Sequence, residues 1–244
     1  MSKIIALTAH KGGSSKSTVA ISLATEFQLR GKRVLLVDAD PQGSLRAWGE
    51  AAAGSGYAAP TIVAMGANLD RPEQLPALTS SYDLTLIDCP PGMTDVHRAA
   101  LMVADLAIIP CGPSVVDAWA LADTFALISK VSFLRPELQV SMLLTRTIQG
   151  TRVAASAREA LADCRYHVFQ AELHYRVAYQ EAPALGIGVT RYAPGSRAAK
   201  EVRMLGDEVA VLLDQVQTDL RAPQAQAQLR SLVVDEPLMH AAVA

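Results

Sequence analysis

Nine residues near the N-terminus, His10-Lys11-Gly12-Gly13-Ser14-Ser15-Lys16-Ser17-Thr18, constrain this chain more than any other segment. They follow residues 3–9, KIIALTA, a short and mostly apolar run of the kind that forms a buried parallel strand. They lead into residues 16–30, where Val19, Ala20, Leu23 and Phe27 recur at helical spacing and Gly31 closes the C-terminus. A strand that turns through glycines into a helix brings backbone N–H groups and the positive end of the helix dipole to one point, which suits phosphate. Gly12 and Gly13 let the main chain approach closely, Lys16 is placed to reach β- and γ-phosphates, and the Ser17 hydroxyl to ligate Mg²⁺. A turn that merely caps a helix needs no lysine followed by two hydroxyls.

The rest of the chain repeats this alternation. Short apolar runs at 33–37, 61–65, 84–87, 106–109 and 140–144 predict further buried strands, with helical stretches at 94–103, 115–134, 152–163 and 196–220. Alternating strands and helices predict an α/β fold in one domain: a mostly parallel, twisted sheet covered by helices on both faces. Asp38 and Asp40 then stand at the carboxyl end of one strand and Asp88 at that of another, where open α/β sheets bind ligands. The domain is expected to span residues 1–221. Residues 222–244, PQAQAQ and onward, lose periodicity and read as a loosely ordered tail.

Composition narrows the setting. Three cysteines, Cys89, Cys111 and Cys164, with no CxxC spacing, exclude a disulfide framework and fit a reducing compartment. The N-terminal apolar run is too short for a signal peptide, and the uncharged stretch 51–69 is broken by Gly, Pro and Asn, so a cytoplasmic location is expected. The net charge of −2 conceals a gradient. Residues 146–203 carry 9 basic and 5 acidic side chains, whereas residues 204–244 carry 2 and 6. Charge alone fits either ordinary solvated helix faces or a local polyanion footprint. The footprint would comprise Arg191, Arg197, Lys200 and Arg203, the last three at i, i+3 and i+6 of a predicted helix.

The pattern K-G-G-x-x-K-[ST] at residues 11–17 resembles the deviant Walker A box of the ParA/MinD ATPases, a family of P-loop NTPases. Val37-Asp38-Ala39-Asp40-Pro41-Gln42-Gly43 is similar to that family's D-x-D-P-Q-G switch, and Leu86-Ile87-Asp88-Cys89-Pro90-Pro91-Gly92 to its Walker B segment. Ala193-Pro194-Gly195-Ser196-Arg197-Ala198-Ala199-Lys200-Glu201 looks like the start of the C-terminal helix of small ParA proteins, so the likeness runs from residue 3 to about 215. It implies ATP and Mg²⁺ as cofactors, with Lys11, Gly12, Gly13, Ser14, Ser15, Lys16, Ser17 and Thr18 around the phosphates. It implies a homodimer formed with ATP, in which Lys11 reaches the partner's phosphates. Asp40 would orient the attacking water and Asp38 support the switch, while Asp88 would hold the Mg²⁺ shell through water. Arg146 and the segment 173–177 fall where the family contacts adenine.

Hydrolysis to ADP and phosphate would be slow and stimulated by a cargo-linked adaptor protein. The dimer would bind double-stranded DNA non-specifically, placing the protein on the nucleoid, and would segregate or position a plasmid, a chromosome region or a protein cargo. The alternatives are a MinD-like membrane-associated ATPase or a biosynthetic P-loop enzyme. Residues 229–237, with one basic residue, two acids and a proline, make a poor membrane helix, so no stable membrane anchor is expected. One position departs from the family: Ser15 stands where the family has glycine beside the phosphates.

Overall fold

The computed structural model describes residues 2–92, 94–114, 117, 119, 121–162 and 164–221. In chain order its elements are β1 (Lys3–Leu7), α1 (Lys16–Leu29), β2 (Val34–Asp38), α2 (Ser44–Gly54), β3 (Thr61–Ala64), α3 (Leu75–Thr79), β4 (Leu84–Asp88), α4 (Asp95–Val103) and β5 (Leu106–Cys111). There follow α5 (Leu121–Leu134), β6 (Gln139–Thr147), α6 (Arg152–Ala162), β7 (His167–Val168), β8 (Leu173–His174), α7 (Ala178–Ala184), α8 (Val189–Tyr192) and α9 (Arg197–Arg221).

Apolar runs form the central strands because both sheet faces are covered. Along β1, Ile5 and Leu7 enter one core while Ile4 and Ala6 enter the other; along β2, Val34 and Leu36 alternate in the same way with Leu35 and Val37. The first core lies under α1, α2, α8 and α9, through residues such as Val19, Leu23, Trp48, Val189 and Val202. The second lies under α4, α5 and α6, through Leu101, Ile128, Val131 and Leu161. The strand order is β3-β2-β4-β1-β5-β6-β7, with β8 also paired to β6, and each pairing is parallel. The expected α/β architecture with helices on both faces is the one observed.

Three differences have physical reasons. Helix α2 was not anticipated, because its sequence, SLRAWGEAAAG, buries only Leu45, Trp48 and Ala52. The two-residue strands β7 and β8 carry too little sequence to announce themselves. The helix expected over 115–134 is described as Leu121–Leu134, positions 115, 116, 118 and 120 lying outside the described residues, as does the expected tail at 222–244.

Gly186, between α7 and α8, has φ +69°, and a Cβ there would lie 1.9 Å from the backbone nitrogen of Ala52 in α2. Main chain therefore packs directly on main chain. Gly186→Ala is expected to cost about 3 kcal/mol, adding a left-handed-backbone penalty to an overpacking one, read from the denaturant midpoint. A second prediction concerns His97, which is buried and shares a capping box with Thr94 at the start of α4. Burial pushes its pKa down to about 4. The unfolded chain therefore binds more protons than the native one between about pH 6.5 and 4, so stability is present at neutral pH and falls as pH drops through that window. His97→Gln should flatten this acid limb, which removes up to about 3 kcal/mol in the parent, as checked by denaturation at pH 7 and pH 5.

Candidate nucleotide-binding site

The site begins with strand register. Asp88 at the end of β4 is opposite Leu7 of β1 on one side and Asp38 of β2 on the other. Because β4 lies between β1 and β2, the loops after all three strands leave the same sheet edge side by side, forming a crevice at the carboxyl ends. Backbone bonds tie these loops together: Cys89 N–H donates to Leu7 O (3.2 Å), Ala39 N–H to Asp88 O (3.1 Å) and Gly92 N–H to His10 O (2.7 Å).

Within the loop, Gly13 has φ +69° and Ser15 has φ +76°. Ser15 is the N-cap of α1, and its hydroxyl makes no capping bond, so the helix start is left without a side-chain acceptor. The Lys16 side chain is buried and folds back to donate to the carbonyl oxygens of Ala9 (3.2 Å) and Lys11 (3.4 Å). Burial lowers its pKa, opposed by the nearby charge of Asp88. Burial likewise pushes the Asp88 carboxyl up to about 7, opposed by the Ser17 hydroxyl and then by Lys16. Neither Asp88 oxygen has a hydrogen bond of normal geometry, and the buried Ser14 hydroxyl is also unpartnered. Such groups are costly unless something fills the hollow between them. Phosphate suits the lysine and the free N–H groups, and a hydrated divalent cation suits Ser17 and Asp88. Among the described residues no group of three or more His, Cys, Asp or Glu side chains is set to hold a metal alone. An ion here would need phosphate oxygens or water to complete its shell.

The other carboxylates are placed differently. Asp38 is buried, and its Oδ2 accepts from the Arg46 backbone N–H (3.0 Å), so it holds the first turn of α2. Asp40 is half-buried at the mouth, with Oδ1 accepting from Gln42 N–H at 2.9 Å. Lys11, for which the sequence shows no use within one protomer, has one here. Its Nζ donates to Asp117 Oδ1 at 2.6 Å, and Asp117 is buried. The same carboxylate takes the Ser114 hydroxyl at 2.6 Å and an Arg146 N–H at 3.5 Å. Ser114 and Asp117 were missed in the sequence because an aspartate within a presumed long helix reads as part of a solvated face.

Arg146, Ser15 and Thr18 line a cavity of about 130 Å³ with Tyr175, Arg176 and Tyr179. The structure thus brings Arg146 and the 173–177 segment beside the loop. A larger cavity of about 630 Å³ lies next to it, lined by Arg158, Glu172, His174 and Glu201. Its carboxylates are already engaged, Glu172 by Arg158 (2.6 Å) and Glu201 by Arg176 (2.5 Å) and His174 (2.9 Å). The smaller cavity, open to Ser15 and Thr18, is therefore the better match to the phosphate loop. The basic residues stand apart from both. Arg191, Arg197 and Lys200 are exposed and have no ion-pair partner among the described residues. Arg203 is half-buried, so it presents less of its charge than helical spacing alone predicts.

Residues 5–189 match the model of the CobQ/CobB/MinD/ParA nucleotide binding domain. The chain is 30% identical to the maintenance of carboxysome distribution protein A of Halothiobacillus neapolitanus, over 82% of this chain and 92% of that protein. It is also 30% identical to the chromosome-partitioning ATPase Soj of Thermus thermophilus, over 84% of this chain and 94% of that one. The fold is similar to that of apo McdA from Cyanthece, with a TM-score of 0.71 and 19% identity, covering 86% of this chain and all of that one. The chain belongs to the CobQ/CobB/MinD/ParA family of nucleotide-binding domains.

Proposed function

We propose that this protein is a positioning ATPase: an ATP-dependent dimer that binds double-stranded DNA non-specifically and segregates or places a cargo, releasing it when ATP is hydrolysed with the help of a cargo-linked partner. The observation that carries this reading is the set of exposed cations Arg191, Arg197 and Lys200, without an ion-pair partner among the described residues, on a chain whose phosphate loop leaves the Ser14 hydroxyl and both Asp88 oxygens unsatisfied. The chain's likeness to partition and carboxysome-distribution proteins supports the same reading.

Lys16 and the N–H groups at the start of α1 would hold the β- and γ-phosphates. Ser17 and, through water, Asp88 would hold Mg²⁺, which supplies charge neutralisation on the phosphates. Asp40, one oxygen engaged by Gln42, keeps the other for orienting the attacking water. Lys11 is neutralised by Asp117 in its own protomer, so its transfer to a partner's phosphates exchanges one charge-assisted bond for others. Asp38 supports this arrangement by holding the first turn of α2.

The test is retention of random-sequence duplex DNA with and without ATP across a salt series. Three exposed cations per protomer give about six phosphate contacts in a dimer, and counterion release then predicts a log K against log salt slope of about −5. Arg197→Glu and Lys200→Glu should weaken retention equally for all sequences while leaving ATP-dependent dimerisation intact, and Lys11→Ala should lose both. A parent protein that dimerises with ATP yet retains no DNA would instead favour a membrane-associated or biosynthetic ATPase.

Ser15 generates a separate expectation. A serine at φ +76° costs about 1–2 kcal/mol relative to glycine, partly offset by the greater chain entropy of glycine when unfolded. Ser15→Gly should raise the stability of the nucleotide-free protein by up to about 1 kcal/mol and tighten ATP binding, measured by denaturation and titration calorimetry. Unchanged stability would show that the loop carries no strain at this position.

A further inference from the structure

Helix α2 starts at the nucleotide crevice, where Asp38 holds its first turn, and at its other end the chain passes the C-cap Ser55 and reaches Tyr57 two residues later. Tyr57 is 40% exposed, and its backbone N–H donates to Ala52 O, which fixes the turn that carries it. The Arg191 guanidinium lies over the Tyr57 ring, 6.0 Å from its centroid. This placement is set by the backbone: the 186–191 segment sits on α2 because Gly186 packs against the main chain of Ala51 and Ala52. The two acids nearest Arg191 in sequence are engaged elsewhere, Glu181 by the Tyr192 hydroxyl at 3.0 Å and Glu201 by Arg176 and His174.

An arginine on an aromatic face keeps its N–H edges free. The ring holds the guanidinium plane by its quadrupole and leaves the donors in that plane for a bidentate acceptor, which a phosphate provides. An exposed arginine without such support loses side-chain freedom each time it engages a phosphate. Resting on the DNA-binding reading above, we infer that Tyr57 is a positioning residue of the DNA surface, its ring holding Arg191 ready for a backbone phosphate. The surface therefore extends beyond α9 to the chain that leaves α2. Selection for sequence is not expected, since the group contacted is the phosphate.

The experiment is a double-mutant cycle on retention of a random-sequence duplex by the ATP-bound protein, using Tyr57→Ala, Arg191→Ala and the double variant. Tyr57→Ala should weaken binding about tenfold in the dimer, where two such pairs act together, but should have little further effect once Arg191 is alanine. Tyr57→Phe should restore the parent affinity, since the ring and not the hydroxyl faces Arg191. Retention by the parent with no coupling between Tyr57 and Arg191, or failure of phenylalanine to rescue, overturns the Tyr57 assignment alone. Absence of any ATP-dependent retention by the parent overturns the DNA-binding reading and this inference with it.

Discussion

A buried ammonium beside a buried carboxylate, neither fully satisfied by the protein, is the arrangement around which the rest of this molecule is organised. Lys16 donates only to two loop carbonyls, and Asp88 finds no hydrogen bond of normal geometry. Each is driven toward its neutral form by desolvation and held back by the other. A fold stabilised mainly by apolar burial tolerates such a pair only if something elsewhere holds the two groups in place. Here the sheet does so, with β1 and β4 in parallel register and α1 launched directly from the loop. The cost of leaving these groups unsatisfied is also what makes the hollow receptive, because a ligand that completes them recovers much of their lost hydration.

The crossover from β1 to β2, which skips the position taken by β4, then acquires a chemical meaning. It puts Leu7, Asp88 and Asp38 in one row, so three loops distant in sequence share one edge. Asp38 and Asp88 occupy equivalent strand positions yet do different work. Asp38 turns one oxygen, Oδ2, to the first turn of α2 and leaves Oδ1 unpartnered, whereas neither oxygen of Asp88, which faces Ser17 and Lys16 across the hollow, has a hydrogen bond of normal geometry. Position at a strand end therefore selects candidates, and the donors each carboxylate finds separate the one that anchors a helix from the one left wholly unsatisfied.

What was legible in the sequence followed from local chemistry. The glycines, the lysine and the two hydroxyls of the loop are contiguous, and the strands flanking them are apolar at nearly every position. The parallel sheet and its two helical layers followed from the alternation of elements, whereas the strand order, with β4 between β1 and β2, rests on long-range pairing that no local pattern announces. What was not legible depended on contacts between distant segments. Asp117 meets Lys11 across 106 residues, and nothing in its neighbourhood distinguishes it from a solvated acid. Helix α2 escaped notice because alanine and glycine give a weak periodicity, although Trp48 and Leu45 anchor it firmly. Arg203 fitted a basic row by spacing, but helical spacing places a residue on a face without saying how deeply that face is set.

That last point explains how α9 serves as both core and surface. Ala198, Ala199, Val202, Leu205 and Val209 fill the first core, and small residues at 198 and 199 let the helix lie close against its neighbours. Glu201, on the boundary, collects Arg176, His174 and the Tyr179 hydroxyl, and Glu208 accepts the backbone N–H groups of Gln170 and Ala171. These acids therefore face inward, fastening the helix to the segment that walls the small cavity near the phosphate loop. Arg197 and Lys200 are left outward with no ion-pair partner among the described residues. The local positive charge of a chain with net charge −2 thus arises from where a carboxylate is spent: Glu201, the acid of α9 nearest Arg197 and Lys200, is turned into the protein, and at the start of the helix these cations remain on the outside.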